Sequence, residues 1–196
     1  MSIEQNRFGE QFSEQESRQQ RWNELTVEID QIKDRLGKGI DEGIKEAVIG
    51  LRALDVNVTQ SCEGHNDHGT GGPYIDVESD LNTVHEKVLE PMYGNLDDKE
   101  TQQKFDDLVE EINYNNLRER KKLIELLDEF YTGRETPYEI RLSVSPMARS
   151  WSRLENQGVG LQTIEEDAEK KNLRLKMFKA EMDDFKEFLK NKFFQT

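Results

Sequence analysis

Apolar side chains are almost absent from the first twenty residues, where only Met1, Ile3, Phe8 and Phe12 interrupt a run of Gln, Glu and Ser. Such a stretch buries too little surface to offset its ordering entropy, so residues 1–20 are expected to form a disordered N-terminal segment. From Trp22 the sequence becomes periodic. Trp22, Leu25, Ile29, Ile32 and Leu36 recur at alternating spacings of three and four, which is the seam of an amphipathic helix or of a short coiled coil. The coiled-coil reading predicts self-association through the Trp22–Leu36 helix, and Gly37 and Gly39 supply its end. A second stripe, Ile40, Ile44, Ala47, Val48, Leu51 and Leu54, predicts a helix from about Asp41 to Leu54, with Asp41 and Glu42 at the positive end of its dipole.

Farther along, the period shortens. Val56, Val58 and Gln60 alternate with Asn57 and Thr59, and Tyr74–Val77 is again β-prone behind Pro73. The loop between them is too short for a parallel crossover, so the two strands should pair antiparallel. Leu81, Val84, Val88 and Leu89 predict a short helix stopped by Pro91. Phe105, Leu108 and Ile112 line an acidic helix, and Leu117, Ile124, Leu127 and Phe130 line another that either continues it or follows a break near Tyr114–Asn116. Strict alternation of Tyr138, Ile140, Leu142 and Val144 with Glu139, Arg141 and Ser143 predicts a half-buried strand, and Trp151–Leu161 a less regular one. Leu175, Phe178, Met182, Phe185 and Leu189 line a last helix that begins near Glu165. The order predicts an α+β fold: a small antiparallel sheet of three to four strands packed against helices, with long amphipathic N-terminal, central and C-terminal helices. Residues 21–196 then form a single α+β domain with helical extensions.

Composition narrows the function classes. The chain has 196 residues and a net charge of −14, with 34% hydrophobic and 35% charged residues. A pI near 4.8 argues against a nucleic-acid partner, because phosphate would be repelled. No apolar run is long enough to cross a membrane, so no membrane partner is expected. The first residues lack the basic and apolar parts of a secretory signal, and the single cysteine fits a reducing compartment, so a cytoplasmic location is expected.

One segment concentrates reactive side chains. Ser61-Cys62-Glu63-Gly64-His65-Asn66-Asp67-His68 holds the only cysteine and two of the three histidines, between a predicted strand and a loop containing Gly69, Gly71 and Gly72. Cys62, His65 and His68, spaced i, i+3, i+6, offer thiolate and imidazole to zinc or another divalent metal, with Glu63, Asp67, Asp76 or water as a fourth ligand. Alternatively, Cys62 is a nucleophile with His65 as base and Glu63 or Asp76 orienting the imidazole. A third reading is recognition of a small anionic ligand by the backbone of Gly64 and the later glycines, with Arg141 as a bidentate partner and Arg149 and Arg153 nearby. A purely structural role, with Cys62 buried and Gly64 making a turn, is the fourth.

The run from Ile40 through Val77, a helix and strand leading to Ser-Cys-Glu-Gly-His and then to Pro-Tyr-Ile, resembles a segment shared by uncharacterised bacterial and phage proteins. The resemblance covers residues 40–77 only and implies a shared local structure and site, with no activity attached. Two functions are therefore carried forward: a small cytoplasmic ligand- or partner-binding protein whose site is the Ser-Cys-Glu-Gly-His loop, or a metal-dependent hydrolase-like enzyme using Cys62, His65 and His68.

Overall fold

The structure, a computed structural model, describes residues 3–67, 71–80, 87–94, 96–147 and 150–195, with side chains from residue 14 onward. It is an α+β fold. In chain order come α1 (Ile3–Gln31), α2 (Glu42–Ala53), β1 (Val58–Cys62), β2 (Tyr74–Glu78), a 3-10 turn (Glu90–Gly94), α3 (Lys99–Phe130), β3 (Leu142–Pro146), β4 (Trp151–Asn156), α4 (Val159–Ile164) and α5 (Ala168–Gln195). The four strands form one antiparallel sheet in the order β1-β2-β4-β3. The short helix expected around Leu81–Leu89 falls mostly outside the described residues.

The helices collect on one side of the sheet. Ile75, Val77, Leu142 and Leu154 project from its inner face into a core shared with Ile44, Val48 and Leu51 of α2, Leu123 and Leu127 of α3, and Met182, Phe185 and Leu189 of α5. Helices α2 and α5 approach most closely at Gly50, where an added Cβ would lie 2.9 Å from the Cβ of Leu189. Helix α3 runs unbroken past Asn116. That residue is buried because its side-chain oxygen accepts from the Ser79 N–H at 2.7 Å while its amide donates to Ile112. On the outer face, Asp76, itself buried, holds the Arg153 guanidinium through two bonds of 2.7 and 2.8 Å, and that guanidinium stacks 3.8 Å over the Tyr74 ring.

Three segments differ from the sequence expectation. The N-terminal helix spans residues 3–31, running through the polar stretch for which composition predicts no structure; Arg18 donates to the Phe193 carbonyl at 3.2 Å. At its other end it stops at Gln31 rather than Leu36. The Asp34 carboxylate accepts from the Leu36 and Lys38 N–H groups, both at 2.8 Å, and this local turn outcompetes another helical turn. Trp22, Leu25 and Ile29 of the seam are buried in the chain's own core, with Trp22 against Phe193 and Phe194, whereas Ile32 and Leu36 are exposed.

The strand expected from Tyr138 begins only at Leu142. Pro137 starts a turn instead, its carbonyl accepting from both Ile140 and Arg141. Tyr138 is exposed, so the alternation there reflects one buried residue, Ile140, whose carbonyl accepts from the Asn156 side chain at 2.6 Å. After Asn156 the chain turns directly into α4. Among the described residues, no helix is long and apolar enough to cross a membrane.

Candidate functional site

The helix-to-strand reversal after α2 builds the site. The chain leaves α2 through Leu54 and turns at Asp55, which takes a left-handed conformation (φ 58°). The Val56 N–H reaches back to the Leu51 carbonyl and the Asp55 N–H to that of Arg52, closing the helix in the Schellman manner. Twelve helical residues rise about 18 Å. The seven extended residues 56–62 cover about 23 Å in the opposite direction. The end of β1 therefore returns beside the start of α2, and Cys62 meets Asp41.

There three ligand-type atoms converge. One atom each from Asp41, Cys62 and His65 lies within 4.8 Å of both others, and all three side chains are half-buried. His65 Nε2 stands 3.7 Å from Asp41 Oδ2. The same carboxylate oxygen accepts from the Glu63 N–H at 3.2 Å, and the Cys62 sulfur accepts from the Gly64 N–H at 3.4 Å. Across the ladder from Cys62 sits Tyr74, whose phenol is held above its ordinary pKa first by burial and then by the thiol's charge, with Arg153 opposing.

The loop that carries His65 is fixed from three sides. Gly64 has φ +80° and packs backbone to backbone on Gly72–Pro73, leaving no room for a side chain. The Glu63 carboxylate accepts from the Gly43 N–H at the start of α2 (3.0 Å) and from Lys179 of α5 (3.3 Å). Asn66 donates to Asn172 of α5 at 2.6 Å, and the buried Gln162 amide of α4 donates to the Gly71 carbonyl at 3.1 Å.

The residues expected from sequence therefore separate into groups. Cys62 and His65 come together, and Gly64 makes the turn between them. His68 lies outside the described residues, as do Gly69, His85 and Arg149. Glu63 accepts from the Gly43 N–H at the start of α2 and from Lys179. Asp76 holds the Arg153 guanidinium through both of its carboxylate oxygens. Arg141 precedes β3, the far edge strand, three strand spacings or about 14 Å from β1. It stacks on the Tyr131 ring at 4.3 Å, and Arg153 is the arginine that reaches the Tyr74–Asp76 row instead. Asp41 is the member that motif spacing missed, because it lies 21 residues before Cys62. The matched lengths of helix and strand were the available signal.

No protein-family model, curated protein or solved structure matches this chain, so the geometry of this corner alone bears on what it does.

Proposed function

We propose that the protein binds a divalent transition-metal ion of the zinc type at Asp41, Cys62 and His65, leaving a fourth position for water or a small ligand. The observation behind this is the mutual convergence of three donors of the types zinc prefers. With metal–ligand bonds of about 2.0–2.3 Å, tetrahedral ligand atoms sit about 3.3–3.8 Å apart. The Asp41–His65 separation of 3.7 Å already meets that spacing, and the widest pair must close by no more than about 1 Å. Thiolate, carboxylate and neutral imidazole together balance a dication, so the site would carry no net charge. The N–H donors to the Cys62 sulfur and the Asp41 carboxylate are the kind of outer partners that orient ligands and tune a metal.

Binding is favoured over hydrolysis by the commitments of the acids. A metal-activated water needs a general base in reach. Glu63 faces Gly43 and Lys179, and Asp76 faces Arg153, so neither carboxylate expected for that task is turned to the cluster. A reducing compartment such as the cytoplasm suits a lone thiol used as a ligand.

Cobalt(II) titration of tag-free protein tests the proposal. One equivalent should produce a thiolate-to-cobalt absorption band that is lost in Cys62→Ser. In Asp41→Asn and His65→Ala, each lacking one of the three direct ligands, the band should weaken strongly or vanish at the same cobalt concentration. No band in the wild-type protein, or an undiminished band in Cys62→Ser, overturns it.

A further inference from the structure

Self-association through the Trp22–Leu36 seam is closed off by the burial of Trp22, Leu25 and Ile29 in the chain's own core. A second seam lies unburied along α3. Glu110, Tyr114, Leu117, Lys121 and Ile124 follow one another at spacings of four, three, four and three, the a and d positions of a heptad pattern. All five are exposed, Tyr114, Leu117 and Ile124 at 62%, 50% and 42%. At about 100° per residue this stripe lies almost opposite the one turned to the core, Ile112, Asn116, Leu123 and Leu127, so it faces away from the sheet. The helix also outruns that core, since no residue of its first thirteen, 99–111, is buried.

Charge along α3 selects the occupant. Ahead of Tyr114 stand Asp106, Asp107, Glu110 and Glu111; after Leu117 stand Arg118, Arg120, Lys121 and Lys122. Each block repels itself, because Asp106–Glu110, Asp107–Glu111 and Arg118–Lys122 are like pairs four residues apart. Relief within the chain is partial: Gln102 and Gln103 donate to Asp106 and Asp107, Lys121 pairs with Glu125 and Lys122 with Glu119. Among the described residues Glu110, Arg118 and Arg120 have no ion-pair partner. A second copy laid antiparallel brings the unlike halves together. With the two-fold axis between Tyr114 and Leu117, Tyr114 meets the partner's Leu117 and Glu110 meets the partner's Lys121. Beside the seam, Glu111 comes opposite the partner's Arg118 and Lys104 opposite the partner's Glu125, and the symmetry makes each pair twice. At the ends Asp107 meets the partner's Ile124 and Asp128 the partner's Gln103, so no like-charged pair falls on the seam. A parallel pair would instead set Glu110 on Glu110 and Lys121 on Lys121. We propose that the chain forms a homodimer through this face, with two copies of α3 packed antiparallel in that register.

Sedimentation velocity on the full chain, with EDTA present and from about 1 µM to about 300 µM, tests this. The mass should rise from 22.9 kDa toward twice that value. Leu117→Lys, Glu110→Lys and Lys121→Glu, all exposed changes, should each stay monomeric over that range while keeping the wild-type urea midpoint at about 1 µM. Mixing Glu110→Lys with Lys121→Glu should restore the dimer, because each chain then carries one sign along the seam and faces the other. Spin labels on Gln103→Cys, in a Cys62→Ser background, should stand about 37 Å apart across an antiparallel pair, against about 10 Å across a parallel one. A monomer at about 300 µM, a dimer that survives the single charge reversals or Leu117→Lys, a mixture that stays monomeric, or a label distance near 10 Å each overturns the proposal. Because the cobalt assay reads Cys62 and these arms do not depend on it, either proposal can fail alone.

Discussion

Gly64→Ala tests whether the close backbone approach of Gly64 to Gly72–Pro73 holds the loop that carries His65. Two costs combine at this position. Its φ of +80° lies where an L side chain is strained, at about 1 kcal/mol for a single residue. An added Cβ would also lie 2.5 Å from the Gly72 carbonyl carbon and 2.6 Å from the Pro73 nitrogen, about 1 Å inside ordinary contact. Those are backbone atoms and cannot swing aside. Nor can the segment retreat, because Gly72 is wedged against Phe178 and Val159, 3.1 Å from where its own Cβ would stand. Overpacking of this kind costs about 1–3 kcal/mol, so the total should be about 3 kcal/mol. Gly133→Ala is the matched control: its φ is +75°, but nothing lies within 4 Å of the added carbon, so it should cost only the strain. With a urea slope of about 2 kcal/mol/M, the midpoint should fall by about 1.5 M for Gly64→Ala and about 0.5 M for Gly133→Ala. Equal shifts in the two variants would refute the argument, because the close approach to Gly72–Pro73 would then contribute nothing.

Two further outcomes follow from the outer face of the sheet. Asp76→Asn leaves the half-buried Arg153 guanidinium without its bidentate partner and should cost about 3 kcal/mol in urea unfolding; cobalt affinity should stay within twofold, since Asp76 is not a member of the cluster. Burial holds the Glu155 carboxyl above its ordinary pKa, with Arg153 opposing. The folded state therefore keeps the proton that the unfolded state releases, and stability is lost as pH rises from the ordinary carboxylate value through the raised one. Glu155→Gln should remove that loss, raising the urea midpoint at pH 7 but not at pH 3.5, and an equal change at both pH values would contradict the assignment.

The fold was legible where side-chain period and burial coincide. The stripe in α2 and Met182, Phe185 and Leu189 of α5 read correctly because those residues pack into or against one core, while Phe178 is buried beside Gly72. The periodicity misled where local chemistry intervened. Asp34 stopped α1 one turn early although Ile32 and Leu36 continued the seam, and Pro137 converted the first half of an alternating run into a turn. At the site, neighbours in sequence were visible and neighbours in space were not. Cys62 and His65 are joined by one glycine turn, so a motif held them. Asp41 arrives only because α2 and β1 have matching lengths, and Glu63 and Asp76 were drawn off by Lys179 and Arg153, which lie 116 and 77 residues away.

That displacement bears on whether the corner is a ligand site or an ordinary loop tie. A structural Asp–His pair would close to hydrogen-bond distance, about 2.7–3.0 Å. Asp41 and His65 instead stand at 3.7 Å, and the Asp41 oxygen takes its hydrogen bond from backbone while the sulfur takes one from Gly64. The loop is already tied elsewhere, by Glu63 to α2 and α5, by Asn66 to Asn172, and by Gly64 to Gly72. With anchoring carried by those contacts, fold stability does not require an acid, a thiol and an imidazole to share one small volume. The cation proposed above would give that arrangement a physical reason, with Asp41 from the helix start as a ligand and Glu63 held by Gly43 and Lys179.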